Sequence, residues 1–267
     1  MKIHGILAAA LGAVFMGAAL ASPTVAQEKT DLQTIVESKK VRLGAPISDP
    51  YYIKEPGSTE WTGLVPDIAR LIFGTVGVTV EFVPTEWGTA VAGLQSGRFD
   101  LMGAFDATPE RGLVVDFSDP IGNLDTGVLT LAGNKEKYAE WDVLNSPDVR
   151  IAAVDGVSSV LATRPLLPNA TWILVPKYEN AFLEIQSGRA DVVLGSAISL
   201  AKFASERGAG EIVIPKPYVG VPTSFGLRKS YPSELKNWLN LALAYADQRG
   251  EIDAIWRKYT DRLGIQR

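Results

Sequence analysis

The chain has 267 residues, 46% hydrophobic and 21% charged, a balance that supports a sizeable folded core and excludes disordered and fibrous classes. Its formal charge is −4 and no basic run interrupts it, which argues against nucleic acid as a partner. Cysteine is absent and the only histidine is His4, so the chain beyond its first residues has no Ser-His-Asp or Cys-His nucleophile, no thiol redox chemistry and no His/Cys zinc site. Any catalysis would run on Asp, Glu, Lys or Tyr, and no cofactor is expected.

The opening segment, MKIHGILAAALGAVFMGAALASPTVA, joins a basic start at Lys2 to a long apolar run and small residues around Ala21 and Ala26. This is the pattern of a secretory signal, with cleavage expected after Ala26. An uncleaved anchor is the alternative, but the run is short and rich in Gly and Ala for a bilayer that needs about 20 apolar residues, and Pro23 follows at once. No second apolar stretch approaches that length. The mature chain is expected to be exported, soluble and free of a cysteine-linked lipid, with a charge of −5 (25 Lys+Arg against 30 Asp+Glu).

From there the chain alternates strands and helices. "KKVRLGAPI" at 39–47 reads as a strand, and Pro50 and Gly57 mark a loop. "LVPDIARLIFGT" at 64–75 sets Leu64, Ile68, Leu71 and Ile72 on one helical face. "VTVEFVP" at 78–84 alternates as a strand does, "GTAVAGLQSG" at 88–97 is helical, and "FDLMGAF" at 99–105 is a short apolar strand. This order predicts an α/β layer with a largely parallel sheet.

The second half repeats the order: strand "RIAAVDG" at 150–156, a helix start in "VSSVLATRPLL", strand "TWILVP" at 171–176, helix "YENAFLEIQSG" and strand "ADVVLGS". "LQSGRFD" at 94–100 returns as "IQSGRAD" at 185–191, with Gly97 and Gly188 as helix stops that need a left-handed residue. "QSGR" alone is a common helix stop; with matching flanks it marks two lobes of one design.

Two Gly/Pro-marked strand-like connectors, 121–134 and 215–229, flank the second lobe. The last residues form two helices broken at Gly250, with Leu235, Trp238, Leu239, Ala242 and Tyr245 on one face; if the chain crosses out and back, they pack on the first lobe. The expected division is 1–26 signal, 27–122 lobe one, 123–223 lobe two and 224–267 returning to lobe one. Two lobes joined by two crossings make a hinge that closes on a ligand.

Ligands of open α/β sheets sit beyond the carboxyl ends of the strands. After the strand at 99–105 come Asp106, Thr108, Pro109 and Arg111. Thr108 suits an N-cap, Pro109 the first helical position, and the Arg111 guanidinium beside free N–H groups makes a carboxylate or phosphate site. An exposed Arg111 paired with Asp116 or Glu110 is the alternative. Gly156-Val157-Ser158-Ser159 is the mirror position in lobe two. Tyr51, Tyr52, Trp61, Trp87 and Phe105 fall in or beside post-strand loops; core packing accounts for such aromatics in general, with Trp87 and Tyr51 singled out as pocket walls.

"GLVPDIARLI", "FVPTEWGTAVAGLQSGRFDLM", "TPERGLVVDFSDP", "IQSGRADVV" and "GEIDAIWRKY" together resemble the family 3 extracellular solute-binding proteins, the periplasmic receptors of ABC importers for polar amino acids and related molecules. The resemblance covers essentially all of the mature chain. It implies the two-lobed type II periplasmic-binding-protein fold with two crossing hinge strands, a monomer without enzymatic activity, and an inner-membrane ABC permease as partner. By position it implies that Arg111 grips an α-carboxylate, that Ser158 offers a lobe-two hydroxyl and that Trp87 lines the pocket.

Two positions depart from the family pattern. The aspartate that usually holds the ligand's ammonium, five residues beyond Asp191, is Ser196, and Asp106 stands where hydroxyl residues are usual, in a segment one residue shorter. A buried ammonium without a counter-charge costs several kcal/mol. Either Asp106 takes over the cationic group, or the ligand lacks an α-ammonium and Asp106 binds a hydroxyl or amide; Asp49, before Tyr51, is a second candidate acid. The rival function is a cyclohexadienyl (prephenate/arogenate) dehydratase, which resembles these receptors and would use a buried carboxyl such as Asp106 as general acid.

Overall fold

A computed structural model describes residues 29–131 and 133–261. The segment read as a secretory signal, with its expected cleavage point after Ala26, lies outside the described residues. Helix α1 (Asp31–Ser38) leads into β1 (Lys40–Ala45), α2 (Leu64–Gly74), β2 (Thr79–Pro84), α3 (Ala90–Gln95), β3 (Leu101–Asp106), α4 (Pro109–Gly112) and β4 (Val115–Phe117). The long β5 (Gly122–Thr130) leaves this set for α5 (Trp141–Leu144), β6 (Arg150–Val154), α6 (Ser158–Thr163), β7 (Thr171–Val175), α7 (Tyr178–Gln186), β8 (Val192–Ser196), α8 (Ala197–Arg207) and β9 (Glu211–Val213). The chain returns along β10 (Gly220–Arg228) to α9 (Glu234–Gln248) and α10 (Glu251–Thr260).

The strands run in the order β2-β1-β3-β10-β5-β8-β6-β7, with β4 on β10 and β9 on β5. In each half the first three strands are parallel: β1 pairs with β2 and β3, and β6 with β7 and β8. Within the sheet, the described strands of the two halves are joined through β5 and β10. Residues 122–125 of β5 lie antiparallel to 223–220 of β10, while 126–129 continue into the second half against β8 and 223–228 continue into the first against β3 and β4. These are the two crossing strands of a two-lobed α/β fold.

The recurring "GRxD" has a structural explanation. Asp100 accepts from the backbone N–H of Arg42 at 2.8 Å and from its guanidinium, and Asp191 does the same for Arg150, also at 2.8 Å. Each acid locks the strand after a helix stop onto the first strand of its lobe. Gly97 and Gly188 sit at φ 67 and 72, the left-handed conformation that ends α3 and α7.

Separate apolar cores fill the lobes: Leu43, Leu64, Ile68, Phe73 and Leu101 in the first, Val128, Ile151, Leu144 and Val192 in the second. Tyr52 and Trp61 belong to the first core, Tyr52 donating to the Gly103 carbonyl at 3.0 Å and Trp61 stacking on Phe82. The C-terminal helices pack on this core. Leu235 and Leu239 are buried while Tyr245, expected on the same face, is exposed. Trp256 of α10 donates to the Ile121 carbonyl at 2.9 Å, over Gly122, where any Cβ would lie 2.5 Å from the indole.

Four points of the sequence reading need adjustment. The predicted helix at 88–97 opens as a single tight turn over Trp87–Thr89 before α3, and the helix expected in "VSSVLATRPLL" ends at Thr163. Two helices carry no expectation from the sequence: α1, capped by Thr30 with Gln33 ahead of β1, and α8, which follows β8 directly.

Candidate functional site

A cleft partly open to solvent lies between the lobes, and in this closed arrangement it leaves only about 40 Å³ of free space, below the ~300–1,000 Å³ range of small-molecule sites. The first lobe contributes Ser48, Tyr51, Trp87, Asp106 and Arg111; the second contributes Ser158, Ser159, Tyr178, Ser196 and Ser199. Leu124, Asp125, Thr126 and Val221 come from the crossing strands. The cavity therefore spans the hinge.

Arg111 is buried, which rules out the exposed ion pair with Glu110 or Asp116. Thr108 caps α4 and accepts from the Arg111 backbone N–H at 3.3 Å, and Pro109 takes the first helical position. With only four residues in α4 the helix contributes little field, so attraction for an anion rests on the guanidinium. That group donates to the carbonyls of Asp106 at 3.0 Å and Gly156 at 2.7 Å. A guanidinium has five N–H donors, and the described contacts use only these two for Arg111.

Phe105 supports the guanidinium from its ring face at 4.1 Å and stacks on Phe117. Phe105 and Thr108 are not in the cavity wall and act on it through Arg111. Asp49 also stands outside that wall. It pairs with Lys202 of α8 at 3.5 Å, bridging the lobes, while burial pushes its carboxyl upward against the pull of Lys202.

Asp106 ends β3 as an almost wholly buried acid. Burial pushes its carboxyl up to about 7, with the Thr223 hydroxyl and Arg111 pulling back. Oδ2 accepts from the Ser158 hydroxyl across the cleft, and Oδ1 has no hydrogen-bond partner among the described residues. Burial lowers Arg111 to about 10 with Asp106 opposing, so the guanidinium stays charged at neutral pH. A buried acid with an oxygen unmet beside a buried cation is an arrangement that a zwitterionic or donor-bearing ligand satisfies.

Ser196 pairs with Tyr51 across the cleft, hydroxyl to hydroxyl at 2.8 Å. Burial drives the Tyr51 hydroxyl well above its ordinary range, so it stays neutral. Tyr178, not anticipated from sequence, stands next to Ser196 and Ser199, and burial pushes it up to about 12. Its place depends on Gly195, where a Cβ would lie 2.6 Å from the Tyr178 hydroxyl. Trp87 contacts the cores of both lobes and meets Tyr52 edge to face at 6.2 Å. Ser159, of the lobe-two mirror segment, also lines the wall, and Ser48, Asp125, Thr126 and Ser199 are further wall residues that carried no distinguishing motif.

The lobes stand closed. Besides the contacts of Asp106, Arg111, Tyr51 and Asp49, Glu86 pairs with Lys177 at 3.7 Å, and Gly156 approaches Gly88 so closely that a Cβ there would lie 2.6 Å from the Gly88 Cα. Among the described residues no cluster of three or more metal-ligating side chains occurs, and no helix is long and apolar enough to cross a membrane.

Comparison with known proteins matches this arrangement. The family model of bacterial extracellular solute-binding proteins, family 3, covers residues 41–262. A putative ABC transporter arginine-binding protein of Escherichia coli is 25% identical over 227 residues, 83% of this chain and 91% of that one. The crystal structure of the ancestral amino acid-binding protein AncCDT-1, described as a precursor of cyclohexadienyl dehydratase, is 31% identical, covering 86% of this chain and 99% of that one with a TM-score of 0.78. The cyclohexadienyl dehydratase of Pseudomonas aeruginosa is 25% identical over 187 residues, 68% of each chain. With the family model spanning both lobes and the cleft between them, the chain belongs to the family 3 bacterial extracellular solute-binding proteins.

Proposed function

We propose that the protein is a periplasmic receptor that captures a small carboxylate-bearing ligand, an amino acid or derivative, between its lobes and delivers it to an inner-membrane ABC importer. The observation that carries this reading is the buried Arg111 guanidinium beside Asp106 in a closed interlobe cavity. Arg111 takes the ligand's carboxylate. Asp106, with Oδ1 unmet, takes its ammonium in place of the acid replaced by Ser196. Ser158, Ser196 and Tyr51 supply hydroxyl contacts, and Trp87 and Tyr178 wall the site. The division into 27–122 with 224–267 against 123–223 gives the bodies that move, with β5 and β10 as the hinge. The arginine-binding relative supports an amino acid as ligand.

A thermal-shift screen of the purified chain against amino acids, polyamines, opines and organic acids tests this reading. Stabilisation by α-amino acids is expected; stabilisation only by compounds without a carboxylate would overturn it. Asp106, held near 7, also has the protonation that general-acid chemistry needs. Incubation with prephenate and arogenate separates that reading, and no product is expected.

A further inference from the structure

We infer that the buried first turn of α8, with Ser199 and Tyr178 beside it, is an anion subsite of the cleft and takes a second carboxylate, so that the ligand is an acidic amino acid. This rests on the receptor reading above and deepens it. In that reading Arg111 and Asp106 hold the α-carboxylate and the ammonium from the first lobe. The polar side chains that face them from the second lobe, Ser158, Ser159, Tyr178, Ser196 and Ser199, are all neutral. Asp125, on the crossing strand, is exposed and its charge is solvated.

The N–H groups of a helix's first turn have no partner within it and carry the positive end of its dipole. In α8, which has 11 residues, they belong to Ser196, Ala197, Ile198 and Ser199. Ala197, Ile198 and Ser199 are buried, which keeps bulk water from this end. No side chain caps it. The Ser196 hydroxyl at the N-cap is turned to Tyr51 across the cleft, and the first turn contains no acid. An independent observation points the same way: Ser199 is 5% exposed, lines the cavity, and has a hydroxyl oxygen without a hydrogen-bond partner among the described residues. The Tyr178 hydroxyl faces the Ser196 backbone and the Ser199 side chain, and burial keeps its proton in place. This end of the cleft therefore offers helix N–H groups and hydroxyl donors with no negative charge, the chemistry of a carboxylate site. A ligand side chain ending in a cation would meet the positive end of α8 with nothing to neutralise it. Lys202, on the next turn of α8, is already paired with Asp49 and Glu206.

Titration calorimetry at pH 8 with L-glutamate, L-aspartate, L-glutamine and L-lysine, on the wild type, Ser199→Ala, Tyr178→Phe and Ser199→Asp, tests the inference. The wild type is expected to prefer glutamate or aspartate to glutamine and lysine by about tenfold or more, the scale on which charge-assisted hydrogen bonds exceed neutral ones. Ser199→Ala and Tyr178→Phe should each narrow that preference by about fivefold. Ser199→Asp sets an acid where the second carboxylate lies, at a helix start that accommodates one, and should reverse the order in favour of lysine. A wild type that binds glutamine or lysine as tightly as the acidic amino acids, or a preference for the acids that all three variants keep at an unchanged melting temperature, would overturn the inference while the receptor reading stands. If no amino acid binds the wild type, the receptor reading fails and this one with it.

Discussion

Ser158 and Asp106 meet across the closed cleft, the hydroxyl at the start of α6 donating to Oδ2 of the carboxylate that ends β3. The two groups belong to opposite lobes, so the bond is made only on closure. Arg111 repeats the relationship through its contact with the Gly156 carbonyl. The side chains proposed to hold the ligand are therefore also the ones that draw the lobes together.

Asp106 makes the receptor sensitive to pH in a defined direction. Its folded value, about 7, lies above the ordinary 3.8, so the folded chain keeps a proton that the unfolded chain releases. The associated stability is fully present below about pH 4 and is lost as pH rises to about 7, by at most about 4 kcal/mol. Affinity for an ammonium-bearing ligand moves the other way. Below pH 7 the carboxyl must first lose its proton, so affinity falls by up to about tenfold per unit. Melting and titration series from pH 4 to 8 should show both slopes in the wild type and neither in Asp106→Asn.

Gly156→Ala should hold the lobes apart. The position has φ 75, where a side chain is strained, and the added Cβ would meet the Gly88 backbone at 2.6 Å. Small-angle scattering is expected to report a larger radius of gyration than the wild type, and ligand affinity should fall at least about tenfold as closure contacts are lost. An unchanged radius would contradict the close approach.

The Asp49–Lys202 pair should act as a latch rather than a ligand contact. A double-mutant cycle with Asp49→Ala and Lys202→Ala should give a coupling of about 0.5–1 kcal/mol in thermal stability. Ligand specificity should stay the same, because neither side chain lines the cavity.

Most of this architecture was legible in the sequence because periodicity and glycine stops report local forces. Gly97 and Gly188 end helices for a reason that needs no tertiary context, and Thr108-Pro109 announces a helix start. Helix α1 was missed although Thr30 and Gln33 spell a capping box, because its apolar face is narrow and only Ile35 is buried. The candidate site was legible where a distinctive residue follows a strand, as at Asp106, Arg111, Trp87 and Ser158. Asp49 stands outside the cavity wall for the complementary reason. Its position after β1 suggested the cleft, but Lys202, some 150 residues away, claims it, and nothing local encodes that pairing. Tyr178 and Ser199 stand on helices and Asp125 on the crossing strand, and all three reach the cavity wall through tertiary packing, which single-residue reading does not resolve.

The most direct test of the account is calorimetric titration of the wild type and Arg111→Ala with L-amino acids at pH 8. Saturable one-to-one binding is expected in the wild type, and the variant, still folded by its melting profile, should lose about 2–5 kcal/mol of affinity, the scale for removing one partner of a buried charge pair. Unchanged affinity in Arg111→Ala would contradict the placement of the carboxylate and with it the central claim.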